Sequence, residues 1–165
     1  MSEQFWDSVD RRLGLQERYV LTDAERQQIH EKEVEAYKAN LAEMQRIMNS
    51  HRGELDKRGF HTELQCNEDG LLFRYSRQGY YGPGGFRSDP HIDGPLVLSE
   101  LNPAGDPNTY IRDNDIEKNA EVGTGFDPEL FEQFVRRNLD RFLEPGNLII
   151  TDSRRDQIRA AQRTE

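Results

Sequence analysis

Residues 22–58 have the sequence TDAERQQIHEKEVEAYKANLAEMQRIMNSHRGELDKR, which predicts one long α-helix. Thr22 and Glu25 have the spacing of a capping box, in which each side chain satisfies a backbone N–H of the first turn. Gly53 is the only glycine within this stretch, and Gly59 follows its basic last turn as a C-cap glycine does. At 1.5 Å per residue the helix would span roughly 55 Å, more than the diameter expected for a domain of this size. We therefore expect a projecting end, a kink near Gly53, or a second chain that covers part of the helix.

One face of this helix carries a stripe of mostly apolar side chains at alternating spacings of four and three residues. Such spacing keeps side chains on the same face. The stripe consists of His30, Val34, Tyr37, Leu41, Met44, Met48, His51 and Leu55. The simplest interpretation is a core helix packed on the chain's own sheet. The alternative is a homo-oligomer in which the stripe, apart from its two histidines, contacts a second copy of the chain.

The rest of the chain predicts an α+β fold. After Gly59 the apolar period changes from 3.6 to 2, which is typical of half-buried strands, and residues 67–70 have the composition of a turn. We predict a hairpin over residues 60–76, with its apolar face on the long helix. Further short strands are expected at residues 95–98, 109–112 and 148–150, and a short first helix at residues 3–13, ended by Gly14. Asp127 and Pro128 predict the start of a second amphipathic helix, which ends before Pro145.

The predicted architecture is thus a long N-terminal helix on an antiparallel sheet of about four to five short strands, with the second helix near the C-terminus. At 165 residues, the chain is most simply one domain over residues 1–152. Residues 153–165 form an arginine-rich tail that we expect to be helical or frayed.

Composition excludes several classes of protein. No apolar run approaches membrane-spanning length and the first residues are no signal peptide, so we expect no membrane association and a cytoplasmic site of action. The single cysteine, Cys66, excludes a disulfide framework and an all-cysteine metal site. It shares the predicted inward face of its strand with Leu64 and is expected to be a small buried side chain. No GxSxG, HExxH or CxxC motif occurs, and no cofactor signature is present.

The negative charge is concentrated in one segment. Residues 89–132 hold eleven acidic residues against Arg112 and Lys118, so their net charge of −9 equals that of the whole chain. Acidic surfaces repel nucleic-acid backbones and attract cations or basic proteins. We therefore expect a basic protein partner and no nucleic acid, unless the acidic loops serve only solubility.

A second unusual segment is the stretch Arg77–Pro95, RQGYYGPGGFRSDPHIDGP, whose five glycines and three prolines predict an irregular loop. Aromatic and arginine side chains together are typical of recognition surfaces. Its glycine spacing matches neither the phosphate-binding loop nor GxGxxG. The alternative is that the tyrosines pack on the edge of the sheet. The predicted partner-binding residues are Arg77, Tyr80, Tyr81, Phe86 and Arg87, with the acidic Asp93, Asp113, Asp115 and Glu117.

His91 and Asp93 are the one pair in this loop that could act in catalysis, as an acid–base couple or as two metal ligands. A facial-triad iron site needs a further histidine, and none follows His91. The acids of residues 113–117 lack the glycine and final glutamate of an EF-hand loop. We assign no catalytic residue and no metal ligand, and the pair is more simply explained by chance.

Three functions remain open from the sequence. The first is a non-enzymatic interaction module, similar in physical type to toxin-neutralising immunity proteins and secretion chaperones. The second is a structural subunit of a phage or secretion assembly that uses the helix stripe. The third is a small enzyme with the loop as its lid and with His91 and Asp93 in its site.

Overall fold

A computed structural model of the chain describes residues 2–17, 20–92, 96–101, 110–111, 120–149 and 152–163. The helices are α1 (Glu3–Glu17), α2 (Asp23–Lys57), α3 (Pro128–Phe142) and α4 (Asp152–Arg163), with a 3₁₀ turn at Pro145–Asn147. The strands are β1 (His61–Asn67), β2 (Gly70–Ser76), β3 (Gly84–Ser88), β4 (Ser99–Leu101) and β5 (Tyr110–Ile111). They form one antiparallel sheet of five strands in sequence order. The α+β prediction is confirmed.

Helix α2 is unbroken and projects beyond the domain at its N-terminal end. The Oγ1 of Thr22 accepts a hydrogen bond from the backbone N–H of Glu25 at 3.1 Å, as a capping box requires. The second bond of the box differs from the expected one, because the Glu25 carboxylate accepts a hydrogen bond from the Thr22 hydroxyl and not from a backbone N–H. The first buried side chain of the helix is Glu33, and the side chains of residues 23–29 are exposed. Of the three explanations for the excess length, the structure shows the projecting end.

The apolar stripe of α2 faces the chain's own core, as the simplest interpretation predicts. Tyr37, Met44, Met48 and Leu55 are buried. Val34 and Leu41 are half-buried. Since four of the six residues assigned to an oligomer seam are already covered within the chain, the seam finds no support here.

The hairpin of β1 and β2 lies where the alternating pattern predicts it. Cys66 pairs with Leu71 and Leu64 with Phe73, so the apolar side chains of both strands point to the same face. Helices α2 and α3 cover that face, and their buried side chains join those of the sheet in one core cluster. The Phe86 ring meets Phe134 of α3 edge-on at 5.2 Å. The opposite face carries the intervening residues, which are polar in β1 and include Leu72 in β2.

The sequence predicts no regular structure over most of the Arg77–Pro95 stretch, and this prediction misses a strand in its middle. Gly84–Ser88 forms β3, an inner strand that pairs with β2 and β4. Gly85 has φ +131, and a Cβ there would collide with the carbonyl oxygen of Phe73. Glycine is therefore part of what allows this close strand pairing. Local composition favoured a loop, whereas burial of Phe86 between sheet and helix favours the strand.

Other boundaries differ from the predicted ones in smaller ways. Helix α1 continues past Gly14 to Glu17. Val97 makes a single bridge with Glu121, and the next strand, β4, begins only at Ser99. The predicted buried strand at residues 148–150 is wrong for its described part, because Leu148 makes only one bridge and Ile149 is half exposed.

Helix α2 also fixes the chain segment that leads into α3. The carboxylate of Glu33 accepts hydrogen bonds from the backbone N–H and the hydroxyl of Thr124. The amide nitrogen of Asn40 donates to the carbonyl oxygens of Val122 and Gly123. These bonds hold the end of the acidic segment against the middle of α2.

The arginine-rich tail forms helix α4, one of the two states expected for it. The described side chains of this helix, residues 155–163, are all exposed. No described helix combines the length and the apolar character that crossing a membrane requires.

Candidate partner-binding surfaces

Two of the aromatic residues predicted to bind a partner pack inside the protein. Phe86 is fully buried, so its ring has no surface to offer. Tyr80 is half-buried and stacks on Phe142 at a centroid distance of 5.4 Å. For Tyr80 the alternative from the sequence, packing at the edge of the sheet, describes its position better. The Tyr80 backbone also bridges to Leu148.

Arg77 and Tyr81 remain at the surface. The Nε of Arg77 donates to the carbonyl oxygen of Arg58 at 3.1 Å, and its guanidinium carbon lies 5.8 Å from the centre of the Phe60 ring. Tyr81 is 48% exposed, and its backbone N–H donates to the carbonyl oxygen of Asn147 at 2.7 Å. Both side chains thus sit on well-positioned backbone and could contact another molecule.

Arg87, the fifth of these residues, lines a cavity with a volume of about 170 Å³ between the turn of the hairpin and the end of β3. Gln65, Leu72, Ser88 and Asp89 lie around the same cavity, and so does Asp69. Ser88 is only 5% exposed, and within the described residues its hydroxyl has no hydrogen-bond partner. No local pattern predicts this cavity, because residues of three strands, β1, β2 and β3, line it.

Two of the carboxylates that line this cavity also act on Tyr37. Burial raises the pKa of the Tyr37 phenol above its usual value, and the Cys66 thiol and the carboxylates of Asp69 and Asp89 raise it further. The Tyr37 hydroxyl therefore stays protonated, and it donates a hydrogen bond to the carbonyl oxygen of Asn67 at 2.6 Å. Both aspartates therefore act on the same corner of the molecule.

The possible acid–base pair is only half described. The imidazole of His91 is exposed and lies 3.9 Å from the carboxylate of Asp69, while its backbone N–H donates to Asp89 at 2.9 Å. Asp93 lies outside the described residues, as do Asp113, Asp115 and Glu117 of the predicted acidic surface. Among the residues described, no group of three or more His, Cys, Asp or Glu side chains is arranged to hold a metal ion.

Cys66 is a buried side chain, as the strand pattern predicts. It is 7% exposed, and burial raises the pKa of its thiol to about 11. A thiol in this state is a poor nucleophile at neutral pH, because only the thiolate attacks.

Some acids of residues 89–132 are already used inside the protein. Glu100 is buried on β4 and forms an ion pair with Arg141 of α3. Glu132 pairs with Arg136 at 3.0 Å and lies 3.8 Å from His51. Some of the carboxylates of this segment thus take part in contacts that join α3 to the sheet and to α2.

Among the described residues, exposed large apolar side chains are most numerous on what we call the N-terminal arm, residues 3–17 and 20–32. In α1, Trp6 is 54% exposed and Leu13 is 51% exposed, and the side chains described for residues 3–14 are exposed except for half-buried Ser8 and Val9. The exposed large apolar residues of the arm are Phe5, Trp6, Leu13, Val20, Leu21 and Ile29. The sequence predicts this first helix, and the structure adds that Phe5, Trp6 and Leu13 on it are exposed.

Comparisons of this chain with protein families, with curated proteins and with solved structures found no match.

Proposed function

We propose that this chain is a non-enzymatic protein-binding module that takes a basic protein partner through its N-terminal arm. The observation that carries the proposal is the run of exposed large apolar side chains on α1 and at the start of α2. Several exposed large apolar side chains close together in the chain are a feature of interaction sites. The rings of Phe5 and Trp6 meet edge-on at 5.1 Å, and aromatic side chains are frequent anchors in interfaces.

Charge supports a basic partner over an acidic one. The chain carries a net charge of −9. In the described residues of the arm, seven acids stand beside four basic residues. An acidic surface around an apolar centre attracts a positively charged surface and orients it. A toxin inhibitor or a chaperone is the class of protein that combines these features, and a cytoplasmic site of action belongs to the same proposal.

The proposal is tested by capturing partners from the native host with the intact chain and with arm variants. We expect the double variant Trp6→Ala, Leu13→Ala to lose the partner, because both exposed anchors are gone. Ile158→Ala, which removes an exposed apolar side chain from α4, is the matched control and should keep it. A salt titration of the purified complex should weaken binding, since exposed charges are screened. A complex that survives the double variant, or that salt does not weaken, contradicts the proposal.

A structural subunit of a larger assembly is the second candidate, and the same exposed arm favours it. In that case the arm would contact another copy of the chain. Light scattering over a concentration series separates the two. Self-association that the double arm variant abolishes and Ile158→Ala preserves would support the subunit, whereas a monomer at high concentration leaves the basic partner as the better explanation.

A further inference from the structure

Helix α1 carries a row of apolar side chains that no other described element covers. The row consists of Phe5, Val9 and Leu13, whose intervals of four residues keep them on one face of the helix. Trp6 lies beside the row, and its ring meets that of Phe5 edge-on. Val9 is half-buried, whereas the other three side chains are about half exposed. No described helix or strand packs extensively on α1, so this apolar row is open to another molecule.

A second row on the same helix is acidic. It consists of the exposed residues Glu3, Asp7 and Asp10. Intervals of four and three residues again place the side chains on one face. Asp10 follows Trp6 by four residues and precedes Leu13 by three, so the acidic row borders the apolar row on that side. Arg12 lies on the other side of the apolar row, and the charge next to the row is therefore one-sided.

The two rows together favour an α-helix as the binding partner of α1. A helix repeats its side chains at the same interval as α1 does, so one apolar row can pack against another along the whole contact. Charged side chains that flank such a contact pair with opposite charges on the partner helix and thereby select it. Three carboxylates on one side therefore select a helix that carries lysine or arginine side chains beside its own apolar row.

The same charge disfavours the other surfaces that an amphipathic helix can bind. Amphipathic helices that lie on membranes carry lysine and arginine on their polar face, where anionic lipids attract them. The acidic row would repel such lipids, and it would repel a nucleic-acid backbone as well. A helix of another protein is thus the occupant that fits both rows.

We propose that α1 binds one basic amphipathic helix of the partner, which packs side by side with α1 along the apolar row and pairs its basic side chains with the acidic row. The inference rests on the proposed function, because it concerns the basic partner of the same arm. It goes further in naming the structure that the partner presents. It also names Asp7 and Asp10, which are not apolar anchors, as residues that select the partner.

The test is a titration of the intact protein with designed peptides, followed by the fluorescence of Trp6. Trp6 is the single tryptophan of the chain and lies beside the apolar row, so a docked helix covers it and shifts its emission to shorter wavelength. The basic probe is a helical peptide of leucine, alanine and lysine in which a leucine row runs beside a lysine row. The acidic probe has glutamate in place of each lysine, and the scrambled probe has the composition of the basic probe without its rows. We expect only the basic probe to give a saturable shift, at a dissociation constant on the order of 100 μM or below.

Charge reversal locates the contact. In the double variant Asp7→Lys, Asp10→Lys the basic probe should bind roughly tenfold more weakly or worse, and the acidic probe should gain binding, because the charge beside the apolar row is reversed. The matched control is the double variant Glu35→Lys, Asp140→Lys, which makes the same change in net charge at exposed positions of α2 and α3. The control should bind the probes as the parent does.

The outcomes separate this inference from the proposed function. No saturable shift with the basic probe, equal binding of the scrambled probe, equal weakening by the two double variants, or no gain of the acidic probe on charge reversal overturns the inference. A partner that the arm captures although no probe binds would overturn it too, and would leave the proposed function standing. Binding of the basic probe by a chain that captures no partner would contradict the proposed function and leave the helix contact standing.

Discussion

At the scale of single residues, Asn138 joins helix α3 to the sheet. It is 4% exposed. The amide oxygen of its side chain accepts a hydrogen bond from the Tyr75 hydroxyl, and the amide nitrogen donates one to the carbonyl oxygen of Gly85 at 2.9 Å. The three residues come from α3, β2 and β3. One side chain thus satisfies polar groups from two neighbouring strands under the helix.

Replacing this asparagine should destabilise the fold. Asn138→Ala leaves the Tyr75 hydroxyl and the Gly85 carbonyl oxygen buried without their partner, and we expect a loss of about 2–3 kcal/mol in the free energy of unfolding. Gln133→Ala, on the exposed face of α3, should change it by less than about 0.5 kcal/mol. Urea denaturation of both variants measures the difference. Equal stabilities would show that the network contributes nothing.

Two glycines should respond in opposite directions to the same substitution. Gly85→Ala places a methyl group against the Phe73 carbonyl oxygen at a φ of +131, so we expect a loss of at least about 3 kcal/mol or failure to fold. Gly53→Ala has open space on an exposed helical face and should stabilise by roughly 0.5–1 kcal/mol. Thermal denaturation of the two variants distinguishes them, and a stable Gly85→Ala protein would contradict the strand geometry.

His51 should make stability depend on pH. Burial lowers the pKa of its imidazole below 6.5, and Arg136 lowers it further, while Glu132 opposes the shift. The folded state therefore prefers the neutral ring, and its contribution to stability is present above the unfolded value and lost as pH falls through the folded one. Between about pH 7.5 and about pH 5, the parent should lose more free energy of unfolding than His51→Gln. Identical losses in chemical denaturation would refute this role of His51.

At the scale of elements, α1 and the start of α2 differ from the rest of α2 in whether their apolar side chains join the core. The C-terminal two thirds of α2 supply the core with Tyr37, Met44 and Met48. Helix α1 and the first turns of α2 leave their large apolar side chains exposed. The residues of α2 that precede Glu33 therefore contribute no buried side chain to the core.

Removing α1 should leave the domain as stable as before. A chain that begins at Thr22 keeps the cap of α2 and every described buried core residue, so we expect its free energy of unfolding to change by less than about 0.5 kcal/mol. Met44→Ala, which opens a cavity under α2, should by contrast cost about 2–5 kcal/mol. Both are measured by urea denaturation. A large loss on removing α1 would show that the helix packs on the domain.

At the scale of the whole molecule, Cys66 can report how often the fold opens. The thiol is buried between the sheet and α2, and its pKa of about 11 keeps it protonated at neutral pH. A thiol reagent should therefore modify the native protein far more slowly than a small free thiol, and at the free rate in denaturant. The thiol content after timed exposure measures this. Rapid labelling of the native protein would contradict the burial.

Local signals in the sequence were enough for α2, the hairpin and α3. The capping box at Thr22, the period of 2 after Gly59, and Asp127 before Pro128 each act over a few residues, so they predict an element without knowledge of its neighbours. The burial of Cys66 follows from the same alternation. These elements stand where the sequence predicts them.

The sequence by itself thus determined the helices, the hairpin and which face of each is apolar, because backbone propensity and side-chain period are local properties. Only the tertiary structure decided that Gly84–Ser88 is an inner strand, since its pairing depends on Phe86 packing against α3, far along the chain. The cavity at Ser88 and the exposure of the arm have the same origin. A cavity or an uncovered face is what the packing of distant segments leaves open, and no stretch of sequence encodes it alone.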